Sequence, residues 1–303
     1  MIEQPLVSII INCYNSEKFL RETVESVLAQ TYTHYEVIFW DNCSIDKTAE
    51  IIKSYIDPRF KYYFAEKNTP LGEARNLAMK KVQGKYLCFL DSDDIWVKDF
   101  LKIGVCALEQ NIKAVGFYCN YYNWKLDSLK EQNFGRVNGL HDYRYLLHNY
   151  GIGMSACIVK SDIIKSYDIK FDNTFSLVED LDFFLKVSRN GLFIYDATPL
   201  YYYRITEWNT SHQNKINWAI EYSELYNALL NKDVKQEKII EIKDLYRIYY
   251  FIVLHKLEFY LENNDRTGML KYFLSHRIPL RFWSRLIFIL FGKKMYLNIR
   301  YLL

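Results

Sequence analysis

The chain has 303 residues, half of them hydrophobic and 17% aromatic, with 27 tyrosines and 19 phenylalanines, which excludes an intrinsically disordered chain and points to packed globular structure. Lysine and arginine total 39 against 36 aspartate and glutamate, a formal charge of +3; no recognition module accompanies that charge, so a nucleic-acid partner is not expected. The six cysteines (Cys13, Cys43, Cys88, Cys106, Cys119 and Cys157) stand singly without a CxxC pair, so reduced thiols in a cytosolic protein are expected, not a zinc site or disulfide framework.

No signal-peptide pattern opens the chain. Leu6 to Ile11 is a short β-branched apolar run, as in a strand buried on both faces. Ser16 is placed to cap the helix that follows, where Phe19, Leu20, Val24, Val27 and Leu28 recur at helical spacing. Residues 35–40 predict a second strand, 46–56 a second helix, 60–65 a third strand and 73–83 a third helix that Gly84 would end. Residues 86–90 predict a fourth strand. This alternation implies right-handed crossovers and a mostly parallel sheet. Ligands of such sheets bind outside the carboxyl ends of the strands, so Asn12 to Asn15, Asp41 and the acidic run Asp91, Asp93, Asp94 should share one rim.

Beyond residue 110 the pattern loosens. Strands are expected over 114–124, 155–160, 192–197 and 200–205, with a helix over 179–189 ended by Gly191. From Lys215 the pattern is largely helical, without repeats or low-complexity segments. The expected organisation is an α/β domain over 1–213 and a helical region over 214–303.

The stretch FLDSDDIW, Phe89 to Trp96, places three carboxylates directly after a buried strand. Two carboxylates one residue apart suit a hard dication such as Mg2+ or Mn2+, or ribose hydroxyls. Asp93 or Asp94 would equally serve as the N-cap of a following helix. The motif alone leaves these readings even.

Its surroundings tip the balance. The first turn reads NCYNSEKFL, the second WDNCSIDKTAEII, the third helix opens with Gly72-Glu73-Ala74-Arg75-Asn76, LDSDD follows, and SLVEDLDFFLK comes later. In this order and spacing the chain resembles the family 2 inverting glycosyltransferases of the GT-A fold over roughly its first 210 residues. The resemblance implies a Rossmann-like, mostly parallel sheet binding a nucleotide sugar, most readily a UDP-sugar, with Mn2+ or Mg2+. It implies nucleotide-sugar contacts from Asn12, Tyr14, Asn15, Asp41, Arg75, Asp91, Ser92, Asp93 and Arg204.

Each implied role has a physical rationale. Asp41 accepts from the uracil imide N–H; Tyr14 packs on the base; Arg75 offers a fork of donors to the uracil edge or the diphosphate. Asp91 serves the ribose and Asp93 the metal, with Asp91 and His212 as further ligands and Asp94 supporting or capping. Asp180 is the general base that takes the acceptor proton, with Glu179 beside it at a helix start where the macrodipole favours negative charge. Arg204 reaches the diphosphate, and Trp208 stacks on sugar. Without the motifs, Tyr14 is an ordinary half-buried aromatic, Arg75 a surface ion pair, Asp180 a helix-terminal acid and His212 a surface residue. The chain departs from the family where Pro-Thr or Pro-Ser is usual, reading Asn12-Cys13, and where a glycine is usual, reading Cys43. That loses easy access to positive φ.

From Arg266 onward there are eight lysines and arginines and no acid, leaving −5 on the first 265 residues. Arg277, Arg281 and Arg285 form a stripe beside Trp283 and several aliphatics, a pattern that fits a helix lying on an anionic membrane surface, or one packed on the protein with its arginines solvated. No run is long enough to span a bilayer. The expectation is a cytoplasmic protein, peripheral on the inner membrane if the basic end binds lipid, acting on a glycan or lipid-linked acceptor. The alternatives are a sugar-nucleotide pyrophosphorylase, although no Gly-rich phosphate loop follows the first strand, and a catalytically silent glycan-binding scaffold of the same fold. A dehydrogenase would need the absent GxGxxG. Donor sugar, linkage and oligomeric state are not legible.

Overall fold

The computed structural model describes residues 4–125, 128–132, 136–206, 215–276 and 278. In chain order its elements are β1 (Val7–Cys13), α1 (Leu20–Leu28), β2 (Tyr35–Asp41), α2 (Thr48–Lys53), β3 (Phe60–Phe64), α3 (Leu71–Met79), β4 (Tyr86–Phe89), β5 (Ile95–Trp96), α4 (Phe100–Gln110), β6 (Ala114–Lys125), β7 (Ser128–Glu131), β8 (Gly139–His141), α5 (Tyr143–Asn149), β9 (Cys157–Lys160), α6 (Ser161–Ser166), α7 (Glu179–Ser188), β10 (Leu192–Arg204), α8 (Lys215–Leu229), α9 (Tyr246–Glu262) and α10 (Arg266–Ser275). The contacts divide the chain into two compact units, Met1–Asn209 and Thr210–Leu303.

In the first unit one sheet runs β3-β2-β1-β4-β9-β6-β10-β5. The run β3-β2-β1-β4 is parallel, and so is β6 with β10, while β9 lies antiparallel between β4 and β6. The α/β, mostly parallel expectation therefore holds. Alternation along β1 sorts its two faces. Val7, Ile9, Ile11 and Cys13 join Val37 and Phe39 in the core beneath α1 and α2, with Leu20, Val24, Val27, Ile51 and Ile52. The intervening residues turn to the opposite face, where Phe89 of β4 makes edge contacts with Phe171 and Phe183 of the α7 side.

Several local expectations are corrected. Ser16 does not cap α1: Phe19 occupies the N-cap without a side-chain bond, while the Ser16 hydroxyl accepts from the Tyr14 N–H and pairs with Ser92 Oγ at 2.8 Å. Gly84 does not end α3, which stops at Met79. Its N–H donates to Ser8 Oγ at 2.8 Å, and a Cβ there would lie 2.7 Å from the Leu6 carbonyl oxygen, so only glycine admits this close approach. The segments 192–197 and 200–205 are one strand, β10, with register shifts around Pro199; proline lacks the N–H a ladder needs, so the sequence reads as two strands where the backbone makes one irregular one. Neither Asp93 nor Asp94 starts a helix, since α4 begins at Phe100.

The second unit contains α8, α9 and α10, with Val253, Leu257, Leu261, Met269 and Tyr272 buried together. Among the described residues no helix is long and apolar enough to cross a membrane. His212, Trp208 and the arginine stripe Arg277, Arg281, Arg285 lie outside the described residues.

Candidate active site

The carboxyl ends of β1, β2 and β4 do form one rim, tied by hydrogen bonds between turns. Asn42 N–H donates to the Cys13 carbonyl at 2.8 Å, Asn15 N–H to Ser44 Oγ at 2.9 Å, and Ile45 N–H to Asn15 Oδ1 at 3.0 Å. Asn15 and Cys43 both adopt left-handed backbone, with φ of 49° and 66°. The positive φ lost with glycine at position 43 is thus kept by a cysteine, at a cost of about 1–2 kcal/mol. Its thiol donates to the Ala65 carbonyl at 3.0 Å, which helps hold the turn.

Tyr14 stands out from this rim, 56% exposed. Asn12 is the register partner of Trp40, and both its amide atoms are closed off from solvent without a protein partner. Asp41 is not presented to the mouth as expected. It is wholly buried; its Oδ1 accepts from Ser44 N–H and its Oδ2 from Tyr62 OH, each at 2.8 Å.

Arg75 is the hub. It projects from α3 and is 3% exposed; Nη2 donates to Asp91 Oδ1 and Nη1 to Glu179 Oε1, both at 3.1 Å, and the guanidinium lies 5.4 Å from the Phe171 ring centroid. One cation thus joins the acidic turn after β4 to the acid pair that opens α7. That excludes the surface ion pair as its structural reading.

Carboxylates dominate what surrounds it. Burial pushes Glu179 up to about 7 against the pull of Arg75, and the charge of Asp180 adds to the rise. Asp180 is pushed up to about 6, again by burial, while the Leu181 N–H, Arg75 and the Tyr150 hydroxyl oppose the rise. Asp182, the spare acid of this turn, is bonded to Lys186 at 2.5 Å. In the turn after β4, burial and then the charge of Asp91 raise Asp93 to about 6, with Arg204 opposing. Asp94 is buried and driven well above the carboxylate range by the same causes. Its Oδ2 accepts from Ser155 Oγ at 2.7 Å, and that hydroxyl in turn accepts the Asp91 N–H at 3.1 Å. Such raised affinities, set by burial and neighbouring like charges, mark this cluster as a candidate functional site.

Arg204 departs from expectation. Its guanidinium is held between the rings of Phe19 and Trp124, 4.2 Å from each centroid, with Nε donating to the Asp93 carbonyl at 2.8 Å and Nη2 to Glu22 at 2.9 Å. Its guanidinium is thus engaged on the acidic turn and on α1.

Whether a dication fits can be judged from the donors alone. Asp91 and Asp93 offer oxygen ligands of the hard type that Mg2+ and Mn2+ take, and their mutual repulsion is the deficit such an ion would relieve. Among the described residues no three His, Cys, Asp or Glu side chains gather at ligating spacing; substrate phosphates and water would complete the shell.

Ser155, Tyr150, Thr23 and Glu22 also support the site and escaped sequence reasoning. Thr23 Oγ1 donates to the carbonyls of Ser92 and Asp94 at 3.0 and 2.9 Å. Each reaches the site across tens of residues, and nothing in its own sequence neighbourhood marks it.

Comparison with known proteins places this geometry in a family. The model described as "Glycosyl transferase family 2" matches residues 8–165, just over half of the chain. The chain belongs to glycosyl transferase family 2. Among its relatives, the teichuronic acid biosynthesis glycosyltransferase TuaG of Bacillus subtilis is 45% identical over 101 residues, 33% of this chain and 40% of that one. The Escherichia coli protein WfgD, named as a UDP-Glc:alpha-D-GlcNAc-diphosphoundecaprenol beta-1,3-glucosyltransferase, is 32% identical over 167 residues, 55% of this chain and 64% of that one. The match thus spans less than two thirds of either family member. The crystal structure of S. aureus TarS 1-349 in complex with UDP-GlcNAc superposes with a TM-score of 0.66 at 20% identity, covering 94% of this chain and 79% of that one. That likeness bears on the fold, and it agrees with a GT-A arrangement of the α/β unit.

Proposed function

We propose that this family 2 protein is an inverting, metal-assisted glycosyltransferase that moves a hexose or N-acetylhexosamine from a nucleotide sugar, UDP being the favoured nucleotide, to a hydroxyl of a cell-surface glycan or its lipid-linked precursor. The observation that carries the reading is the Arg75 bridge. It joins Asp91, assigned to the ribose and metal, to Glu179, the neighbour of the proton acceptor Asp180, so the donor-binding and proton-accepting groups stand on two sides of one mouth.

In this reading the base rests against Tyr14 and the ribose against Asp91. Mg2+ or Mn2+, when bound, would be held by Asp93 and Asp91 and would supply charge neutralisation for the departing diphosphate. Asp180, ionised above pH 6, accepts the proton of the acceptor hydroxyl as its oxygen attacks the anomeric carbon opposite the leaving group. The bond from that carbon to the phosphate oxygen breaks, and its electron pair leaves with the diphosphate. Glu179, paired with Arg75, orients the site and does not transfer protons. WfgD is named for a UDP-glucose donor and a diphosphoundecaprenol-linked acceptor, which supports a lipid-linked acceptor here. The basic region 266–303 would then hold the protein at an anionic membrane surface, with a catalytic region 1–213 and a helical region 214–303.

Nucleoside diphosphate release from a panel of nucleotide sugars, with Mn2+, Mg2+ or EDTA and with candidate acceptors, tests this. The reading requires one donor to stand out, chelator to abolish turnover, and product NMR to show the opposite anomeric configuration. Full turnover by Asp180→Asn would sink it.

A further inference from the structure

The turn Asp91 to Asp94 gathers three carboxylates within four residues, yet it is part of no helix. Something must hold it, because neighbouring carboxylates repel and tend to spread the turn apart. Thr23, Ser155 and Arg75 each bond to it, and two further bonds come from one residue on a distant strand. Arg204 N–H donates to Asp94 Oδ1 at 3.0 Å, and its Nε donates to the Asp93 carbonyl at 2.8 Å, across more than a hundred residues of sequence. The far side of the same guanidinium is anchored on Glu22 of α1 at 2.9 Å. Its two faces are closed by Phe19 and Trp124, each 4.2 Å away. A guanidinium between two aromatic faces has little freedom to swing.

We propose that Arg204 is the positioning residue of the acidic turn. It fixes the Asp93 peptide and the Asp94 carboxylate so that Asp91 and Asp93 present a ready donor site, and it makes no contact with the diphosphate. The inference rests on the nucleotide-sugar reading of that turn, but the arrangement it describes exists in the free protein. Lysine keeps the backbone N–H to Asp94 but not the side-chain role, since an ammonium lacks the fork that reaches the Asp93 carbonyl and Glu22 together and the plane that lies against Phe19 and Trp124.

The test is Arg204→Lys in the full chain, read by amide hydrogen exchange, melting temperature and steady-state kinetics with the best nucleotide sugar and Mn2+. Expected are about tenfold faster exchange confined to residues 90–96 in the free protein, a melting temperature within a few degrees of wild type, and a KM for the donor raised about tenfold at similar kcat. Unchanged exchange at 90–96 overturns the proposal, and unchanged exchange with a raised KM assigns Arg204 to the diphosphate instead. Faster exchange spread over the whole unit also overturns it, as general structural support. If wild type turns over no nucleotide sugar, the functional reading fails, and the exchange measurement still decides the role of Arg204.

Discussion

The hydroxyl of Tyr62 donates to Asp41 Oδ2 at 2.8 Å, from the neighbouring strand, and closes the carboxylate that ends β2. With Ser44 N–H on the other oxygen, Asp41 shapes the turn that carries Cys43 at positive φ. Asp41→Asn keeps an oxygen for Ser44 N–H and can turn its amide N–H on the Tyr62 hydroxyl, so two charge-assisted bonds become two neutral ones. The expected loss is about 1 kcal/mol, seen in denaturant unfolding. Tyr62→Phe should cost at least as much, about 1–3 kcal/mol, because it leaves one oxygen of the buried Asp41 carboxylate without its donor.

Cys43→Gly separates strain from function. Glycine relieves the φ of 66°, worth about 1–2 kcal/mol, but loosens the unfolded chain by up to about 1 kcal/mol. The expected net is zero to about 1 kcal/mol of stabilisation, with kinetics unchanged. A clear loss of stability would mean that the thiol bond to the Ala65 carbonyl outweighs the strain.

Removing Arg75 leaves Glu179 and Asp91 without their shared cation. Breaking a buried pair costs about 3–5 kcal/mol, and the upper part is not expected because Asp91 retains 39% side-chain exposure. Arg75→Ala should therefore destabilise by about 2–3 kcal/mol and lower kcat/KM by more than about a hundredfold, or about 2.7 kcal/mol. Arg75→Lys keeps the charge but reaches one carboxylate at a time. It should restore most of the stability and little of the activity.

How legible this was in the sequence varies by residue. The parallel run of strands was readable because β1, β2 and β4 are near-continuous apolar segments buried on both faces. The meeting of Asp91 with Glu179 was readable only through motif order, since no local pattern says that a helix after residue 178 returns to the end of β4. Asp41 and Arg204 show the limit. Their residue types were singled out, but whether a carboxylate or guanidinium points into the mouth or supports it from behind depends on Tyr62, Phe19 and Trp124, which look like any other aromatics in a chain with 27 tyrosines and 19 phenylalanines.

Cation binding should be linked to proton release. Asp93 in the free protein is half protonated near pH 6, where burial and Asp91 hold it, and a ligating carboxylate must be ionised. Mn2+ with UDP at pH 6 should release about half a proton from this group, falling to near zero by pH 8. Calorimetry in two buffers of different ionisation heat reads the difference. Asp93→Asn should abolish both the release and the cation dependence of UDP binding, and a release that persists in this variant would place the proton elsewhere.

The general base gives the sharpest pH prediction. Asp180 has its folded-state proton affinity raised to about 6 from an ordinary 3.8, burial being the first cause. For a carboxyl raised by folding, the neutral form is the one the fold prefers. Its stability penalty is therefore absent below about pH 4, grows between 4 and 6, and is complete above 6. Asp180→Asn mimics the neutral form, so at pH 7.5 it should stabilise the protein by on the order of 2 kcal/mol, with the gain gone at pH 4. Activity runs the other way, because the wild-type base must be ionised: kcat/KM should fall tenfold per unit below about pH 6. Tyr150→Phe removes a hydroxyl that lowers this affinity, so the acidic limb should move to higher pH while the plateau stays within a few-fold. A limb that stays at 6 in Tyr150→Phe, alongside an inactive Asp180→Asn, would show that another group near Asp180 sets the profile, Glu179 being the next to examine.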